Sequence, residues 1–203
     1  MTRLLEFSKV SLSQVTEFVK QNHYSHTHTC VCDYNFALQY RGELAGACLY
    51  GKLAGAICWL DGENNHKQYR ELTRLVLFDE VPKNSESEFI GWSLRWLKKN
   101  TDLIGVISYA DPLFGHSGGI YQATNWIYTG KQEAAGPRIA VDGKEVPART
   151  LYKDFGTLSV KLLREKGMNA SSLPRVAKHR YVYILRPELR DKLKYPTFPY
   201  PAK

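Results

Sequence analysis

LIGVISYADPLFGHSGGIYQATNWIYTG, residues 103–130, is the stretch whose reading decides the fold. Its first eight residues form a continuous apolar run, the pattern of a strand buried on both faces of a sheet. The run stops at Asp111-Pro112. A glycine turn then leads into a short helix over 117–126, and IYTG begins another strand. Ser108, Tyr109, Asp111 and His116 therefore gather at the end of a buried strand, with Tyr121 on the helix that follows. Ligands of α/β sheets bind outside the carboxyl ends of such strands. At that position Asp111 suits a general base, and Tyr121 suits an acid that protonates a leaving group. The plainer alternative is that Asp111 caps the turn before Pro112 and Tyr121 only packs.

Upstream, SESEFIGWSLRWLKKN (85–100) is a helix. Ser85 and Glu88 make an S-x-x-E capping box, Phe89, Ile90, Leu94 and Leu97 share one face, and Lys98 and Lys99 suit the negative C-terminal end. ELTRLVLF (71–78) alternates as a strand, so a crossover through the helix makes 71–78 and 103–110 parallel neighbours. Nearer the N-terminus, residues 3–10 read as a strand. A helix capped by Ser11 or Ser13 follows, with Val15, Phe18 and Val19 as its stripe, and residues 34–50 form a hairpin around Arg41-Gly42-Glu43. Downstream come a hairpin turning at Asp142-Gly143, a helix closed by Gly167, a strand over 179–185 and a Pro-rich tail. The order predicts a mixed α/β fold, with a core over 1–130 and a basic extension over 131–203 completing one domain.

The chain has 203 residues, 43% hydrophobic and 24% charged, which excludes a disordered chain. No run reaches the length of a membrane span, and MTRLLEFSKV lacks a signal-peptide apolar region. The expectation is a cytoplasmic protein with four free thiols, Cys30, Cys32, Cys48 and Cys58. Net charge is +8, and its distribution matters more than its size: residues 1–143 hold 14 basic against 15 acidic residues, residues 144–203 hold 14 against 5. Arg175, Lys178, Arg180, Arg186, Arg190 and Lys192 interleave with Tyr181, Tyr183 and Tyr195, which fits phosphate contact plus base stacking. The alternative is a solvated charged face.

Four other features carry weight. His23 and Tyr24, in NHYS after the first helix, either hold a nucleobase or form a helix C-cap. His26, His28, Cys30 and Cys32 would share one face of an extended segment. Their H-x-H and C-x-C spacings splay too widely for a tetrahedral metal, so the segment reads as a polar loop and no metal ligands are assigned. Arg74, inside the 71–78 strand, either points inward to an anion or outward to solvent. EVPKNSES (80–87) precedes a helix N-terminus, a natural phosphate site, but Glu86 and Glu88 would repel a pyrophosphate and no glycine lets the backbone approach one.

The element order resembles the GNAT-type N-acetyltransferase fold, a mixed central sheet flanked by helices in which a splayed pair of central strands flanks the donor site. YQATNWIYTG is similar to the Y-x-x-x-G-F-x-x-x-G segment of that fold, with Asn125-Trp126 in place of Gly-Phe. Three stretches together resemble the Mom DNA-modification family of bacteriophages: HYS at 23–25, LTRLVLFDEVPKNSESEFIGWSLRWLKK at 72–99, and SYADPLFGHSGGIYQATNWIYTG at 108–130. The resemblance implies transfer of a carbamoylmethyl (acetamido, glycinamide-like) group to N6 of adenine in duplex DNA, which protects phage DNA from restriction. It implies site residues His23, Tyr24, Arg74, Ser108, Asp111 and Tyr121. Tyr24 would stack on a flipped adenine, Arg74 and Ser108 would orient the donor, and Asp111, His23 or Tyr121 would take the amine proton. Iron is associated with the family, without assignable ligands here.

The pyrophosphate-binding glycine loop of ordinary GNAT enzymes is missing. The donor is therefore open between an acyl-CoA and an activated glycine such as a glycyl-tRNA. The expected partners are double-stranded DNA, a tRNA as donor carrier, and a second copy of the chain through the Tyr/Pro tail. Two rival readings stand beside this one: an ordinary GNAT N-acyltransferase acting on some other amine, and a DNA-binding protein without catalysis.

Overall fold

The computed structural model describes residues 4–23, 32–53, 59–61, 66–133 and 136–201. Its strands are β1 (Leu5–Val10), β2 (Cys32–Tyr40), β3 (Glu43–Gly51), β4 (Tyr69–Leu77), β5 (Gly105–Ala110), β6 (Ile127–Gln132), β7 (Arg138–Val141), β8 (Lys144–Val146), β9 (Ala170–Leu173) and β10 (Lys178–Ile184). Its helices are α1 (Leu12–Asn22), α2 (Ser85–Asn100), α3 (Gly119–Ala123), α4 (Ala148–Phe155) and α5 (Val160–Glu165). A seven-stranded sheet runs β1-β2-β3-β4-β5-β10-β6, and a separate three-stranded sheet runs β8-β7-β9. The chain divides into two compact units: Met1–Ala110, Ser117–Gly130 and Arg180–Lys203 form the first, Asp111–His116 and Lys131–His179 the second. Residues 180–203, grouped by sequence with the basic extension, belong to the same unit as the large sheet.

The period-two pattern builds the first unit. Phe36 and Leu38 of β2, with Cys48 and Tyr50 of β3, pack with Phe89, Ile90, Leu94 and Leu97 of α2. The alternate residues Ala37, Ala47 and Leu49 pack with Val15 and Val19 of α1. The two helices thus cover opposite faces of the sheet, as alternation requires. Further along the sheet Tyr69, Ile107 and Val182 are buried with Trp59 and Leu60, joined by Leu193 and Tyr195 of the tail. The tail packs on its own chain: Phe198 N–H donates to Tyr128 O at 3.0 Å and the Tyr200 hydroxyl to Trp126 O at 2.8 Å.

Local chemistry explains the turns. Arg41 and Gly42 have φ of 55° and 87°, and Asp142 and Gly143 have 50° and 76°, so both hairpins turn with two successive left-handed residues. Gln14 reaches back to accept the Ser11 N–H at 2.8 Å, which sets the start of α1. The capping box expected at Ser85 and Glu88 is not formed. The cap of α2 is Asn84, in a left-handed conformation, and the Ser85 hydroxyl donates instead to Pro82 O at 2.6 Å. The second unit buries Ile139, Leu151, Leu163 and Ala170. Arg138 clasps the β7–β8 hairpin through two bonds to Glu145, of 2.9 and 2.6 Å. The sequence pattern did not reveal α4 or β9, which supply part of this small core.

Candidate active site

β4 and β5 are parallel, but their pairing covers only Tyr69↔Gly105, Arg70↔Val106 and Glu71↔Ile107. β4 then continues to Leu77 and β5 to Ala110 without pairing to each other. Beyond Glu71 and Ile107 the two strands therefore part, and the backbone groups facing the opening have no ladder to satisfy them. On the other side of β4 the register shifts: Tyr50 lies opposite Leu72 and Leu49 opposite Arg74, leaving Thr73 as the extra residue of a bulge. Bulges re-aim neighbouring side chains and end pairing, and they recur next to active sites. Thr73 Oγ1 donates to Leu49 O at 3.1 Å, and Arg74 Nη1 donates to Thr73 O at 2.6 Å. Arg74 is half-buried beside this irregularity.

Ser108 sits where the strands separate, 1% exposed. Its hydroxyl donates to Leu72 O at 2.9 Å, one of the carbonyls the splay leaves open. That bond uses its only proton, so in the 2.8 Å contact with the Tyr121 hydroxyl the tyrosine is the donor. A chain of two bonds, Tyr121 to Ser108 to Leu72 O, thus lies in a buried position. Tyr121 is held by rings on two sides, Trp126 at 5.1 Å and Tyr181 at 5.0 Å between centroids. Tyr181 in turn donates to Ser117 O at 2.6 Å and receives Gln122 Nε2 at 3.4 Å. Gly118, at φ 89°, lies against Tyr181 so closely that a Cβ there would be 2.3 Å from the ring.

A second pair repeats the pattern. Tyr50, fully buried on β3, contacts Ser93 Oγ at 2.6 Å, and Ser93 donates to Ile90 O at 2.9 Å. Burial holds the Tyr50 hydroxyl well above its ordinary pKa, and the nearby charge positions of Cys48 and Tyr121 act in the same direction. Burial also pushes the Cys48 thiol up to about 12, so it is not a thiolate nucleophile at neutral pH. Tyr50 did not stand out in the sequence, because aromatic residues within strands are ordinarily core, and Tyr181, grouped there with the basic stripe as a base-stacking residue, is instead fully buried beside Tyr121.

Asp111 is committed on both oxygens. Oδ1 accepts the Leu113 N–H at 3.0 Å, and Oδ2 pairs with Lys178 Nζ at 2.8 Å. It belongs to the second unit, whereas Ser108 and Tyr121 belong to the first. The turn-capping alternative read from the sequence is the geometry present. His23 ends α1, its N–H donating to Val19 O at 3.0 Å, with its side chain buried. Tyr24, His26, His28 and Cys30 lie outside the described residues, as does Cys58. Among the described residues no three His, Cys, Asp or Glu side chains come together as metal ligands, and Cys32 and Cys48 are free thiols.

The basic residues divide by role. Arg186 donates to Lys98 O at 3.1 Å and Thr101 O at 2.7 Å, closing the C-terminal end of α2. Arg180 lies 3.6 Å from the Tyr195 ring centroid and donates Nε to Thr129 Oγ1 at 2.8 Å. Lys178 is the partner of Asp111. Arg175, Arg190 and Lys192 are exposed. Lys178, Arg180 and Arg186 of the basic stripe are thus engaged by named groups within the protein.

A large mixed sheet with a parallel pair that parts at its centre is the GNAT-type acetyltransferase architecture. Solved structures agree: an N-acetyltransferase from Staphylococcus aureus superposes with a TM-score of 0.53 at 10% identity, covering 90% of this chain and 99% of that one. A ribosomal-protein alanine acetyltransferase from Vibrio fischeri gives 0.54 at 7% identity, covering 95% and 97%. A putative acetyltransferase from Salmonella typhimurium, solved with its cofactor acetyl-CoA, gives 0.52 at 7%, covering 90% and 94%. The family is narrower than the fold. Residues 4–202 match the Mom protein family, and this chain belongs to it. The methylcarbamoylase mom of Escherichia phage Mu is 28% identical over 143 residues, which are 68% of this chain and 58% of that protein. The match thus spans less than two thirds of the phage Mu protein's length.

Proposed function

We propose that this chain is a transferase that attaches a carbamoylmethyl group to the exocyclic N6 amine of adenine in duplex DNA, and that the modification shields phage DNA from restriction. The observation carrying the reading is the Tyr121–Ser108–Leu72 bond chain at the parting of β4 and β5, within a chain of the Mom family. An exocyclic amine of adenine is a weak nucleophile, because its lone pair is delocalised into the ring. Reaction then depends on holding the amine against an activated carbon and on helping the leaving group depart. On this reading Tyr121 gives its proton to that leaving group, and the proton that the attacking amine loses restores the tyrosine hydroxyl. Ser108 then turns its hydroxyl from Leu72 O to the tyrosine oxygen, so that no bare phenolate is left in a buried place. The adenine must leave the stack to reach the site.

Two groups implied by fold and family were set against the residues present. Coenzyme A needs its pyrophosphate held at the start of α2. There Glu86 and Glu88 fill the first turn, the Ser85 N–H is taken by Pro82 O, and residues 78–88 contain no glycine. The site does not fit the pyrophosphate, and no step here runs through coenzyme A. An activated glycine carried by tRNA has no such requirement and is the donor class this site favours: attack on its carbonyl expels the tRNA hydroxyl and gives the N6-glycyl amide, and a redox-neutral shift of the adenine nitrogen to the methylene, with the glycine nitrogen taking its place on the carbonyl, converts this isomer to the carbamoylmethyl product. Iron would need ligands that the described residues do not bring together, and no step runs through it either.

Mass spectrometry of nucleosides from DNA of cells producing the protein tests the reading: modified adenine is expected, and unmodified adenine with a folded protein overturns it. Thermal stabilisation by acetyl-CoA but not by DNA would favour an ordinary acyltransferase instead. Asp111→Asn keeps an oxygen for the Leu113 N–H, so modification is expected to stay within about threefold of wild type. A fall of about 100-fold or more would instead make Asp111 the base that takes the amine proton.

The DNA grip is also testable. Replacing Arg190 and Lys192 by Ala is expected to flatten the salt dependence of DNA binding by about two units of log–log slope. Arg186→Ala should leave that slope unchanged and instead destabilise the fold by about 1–2 kcal/mol, since it removes the bonds to the Lys98 and Thr101 carbonyls at the C-terminal end of α2. The two outcomes together separate residues that grip DNA from those that hold the sheet unit together.

A further inference from the structure

Helix α4 carries charge where its own stability argues against it. Leu151 and Phe155 pack it on the small core of the second unit. Arg149 is its second residue, beside the positive end of the helix dipole, and no acidic residue stands in that first turn. Lys153 follows four residues on, so the two cations are neighbours on the helix surface and repel each other. Helix α5 repeats the placement: Lys161 is its second residue, and its first turn also lacks an acid. Tyr152 shares the side of Arg149 and Lys153 and is 63% exposed, more than any other large hydrophobic side chain among the described residues. At 3.6 residues per turn the three span about 100° of arc, and Asp154, the one acid of α4, falls outside it. Among the described residues the side chains of Arg149, Tyr152 and Lys153 make no hydrogen bond, ion pair or ring contact. A face that only meets water is better served by Glu at 149, which suits both the dipole and Lys153. Local rules broken together with no gain to the fold mark a functional surface.

Charge and ring together name the partner. The second unit holds ten Lys and Arg against six Asp and Glu, so it attracts a polyanion. An acidic peptide would answer the cations but leave the ring without a use. A duplex offers phosphates, but its bases are stacked on one another and closed to a side-chain ring. Unpaired nucleotides offer both, a base face for an aromatic ring and phosphates for the cations beside it. We propose that Arg149, Tyr152 and Lys153 form a docking surface for an unpaired stretch of RNA. The Tyr152 ring stacks on a base, and the two cations hold the phosphates that flank it. The choice of RNA rests on the proposed donor, an activated glycine carried by tRNA, whose loops hold unpaired bases, whereas the DNA acted on is a duplex. All three residues lie within the second unit, and no step of the transfer runs through them.

The test reads binding to the full chain by fluorescence polarisation, with three labelled probes: unacylated glycine tRNA, an unpaired RNA of about ten nucleotides, and a duplex DNA. Tyr152→Ala is expected to weaken both RNAs about tenfold, the loss of one stacked base, while Tyr152→Phe keeps the ring and stays within about twofold. On the duplex, Tyr152→Ala should stay within about threefold of wild type, since no base there meets the ring. Arg149→Glu should weaken both RNAs by about tenfold or more. Because it puts an acid in the first turn and opposite Lys153, its thermal midpoint should be unchanged or higher. Lys144→Glu, the same change of charge elsewhere in the unit, should stay within about threefold. No RNA binding by wild type overturns the surface, and so does RNA binding by Tyr152→Ala equal to wild type. Equal losses from Arg149→Glu and Lys144→Glu would leave only net charge, and equal losses of RNA and duplex by Tyr152→Ala would make the face a duplex grip; either overturns it. A lower midpoint in Arg149→Glu makes Arg149 structural and does the same. Unmodified DNA in cells, with these RNA results intact, sinks the transfer reading and leaves the surface standing. Modified DNA with RNA binding indifferent to Tyr152 does the reverse.

Discussion

Tyr121→Phe is expected to reduce DNA modification by about 100-fold while leaving the fold intact. The magnitude is that of a lost general acid. The substitution removes one hydroxyl and keeps the ring that packs between Trp126 and Tyr181. Ser108 keeps its bond to Leu72 O in the variant, so only the proton-bearing oxygen is lost. Quantifying the modified nucleoside per total adenine, alongside the thermal midpoint, checks both halves. A midpoint near wild type with activity within threefold would remove Tyr121 from the chemistry. Ser108→Ala is a useful companion. It leaves Leu72 O and the Tyr121 hydroxyl each without its partner, and so should lower activity about tenfold and stability by about 1–3 kcal/mol.

Gly118→Ala is expected to destabilise the protein by about 2–4 kcal/mol, which for a domain of this size lowers the melting midpoint by roughly 5–15 °C. Two costs combine. A residue with a side chain is strained at φ 89°, and the new methyl would stand 2.3 Å from Cε2 of Tyr181 and 2.6 Å from its hydroxyl. Tyr181 is not a flexible chain end that can step aside. It is fully buried, bonded to Ser117 O and stacked with both Tyr121 and Tyr128. The displaced ring would carry Tyr121 with it, so activity should fall further than stability alone explains. Calorimetry with the nucleoside measurement separates the two. Gly119→Ala, next in sequence and with open space around its Cβ, should behave as wild type.

Much of the fold was legible because it is written in local patterns. The apolar run at 103–110, the stripe at 85–100 and the Arg41-Gly42 and Asp142-Gly143 turns each specify one element, and each is present. The parallel pairing of β4 with β5 followed from the helix between them. The 179–185 strand was legible as a strand, but its place between β5 and β6 was not, since no local signal encodes a partner so distant in sequence. The small helix α4 escaped because Pro147 and Arg149 break up any apolar stripe over so few residues.

The site was legible in its residues more than in their roles. Ser108 and Tyr121 were singled out by position, and their mutual bond came from the structure. Asp111 carried two readings in sequence, and the geometry present is the turn cap. The basic stripe was read from spacing alone, which cannot tell an arginine that grips phosphate from one that closes a helix, as Arg186 does. The tail, expected to meet a second copy, bonds to Tyr128 and Trp126 of its own chain and leaves Phe198 and Tyr200 about half exposed.

The place of β10 also governs when the protein becomes functional as it is made. β6 joins the sheet beside β10, and Tyr181 of β10 leaves the ribosome 60 residues after Tyr121. Until it arrives, Tyr121 has no Tyr181 beside it, and the edge of β5 away from β4 stays unpaired. Pairings so distant in sequence close slowly and late. The nascent chain therefore carries Ser108 and Tyr121 through the addition of the next 60 residues without the ring that packs against Tyr121.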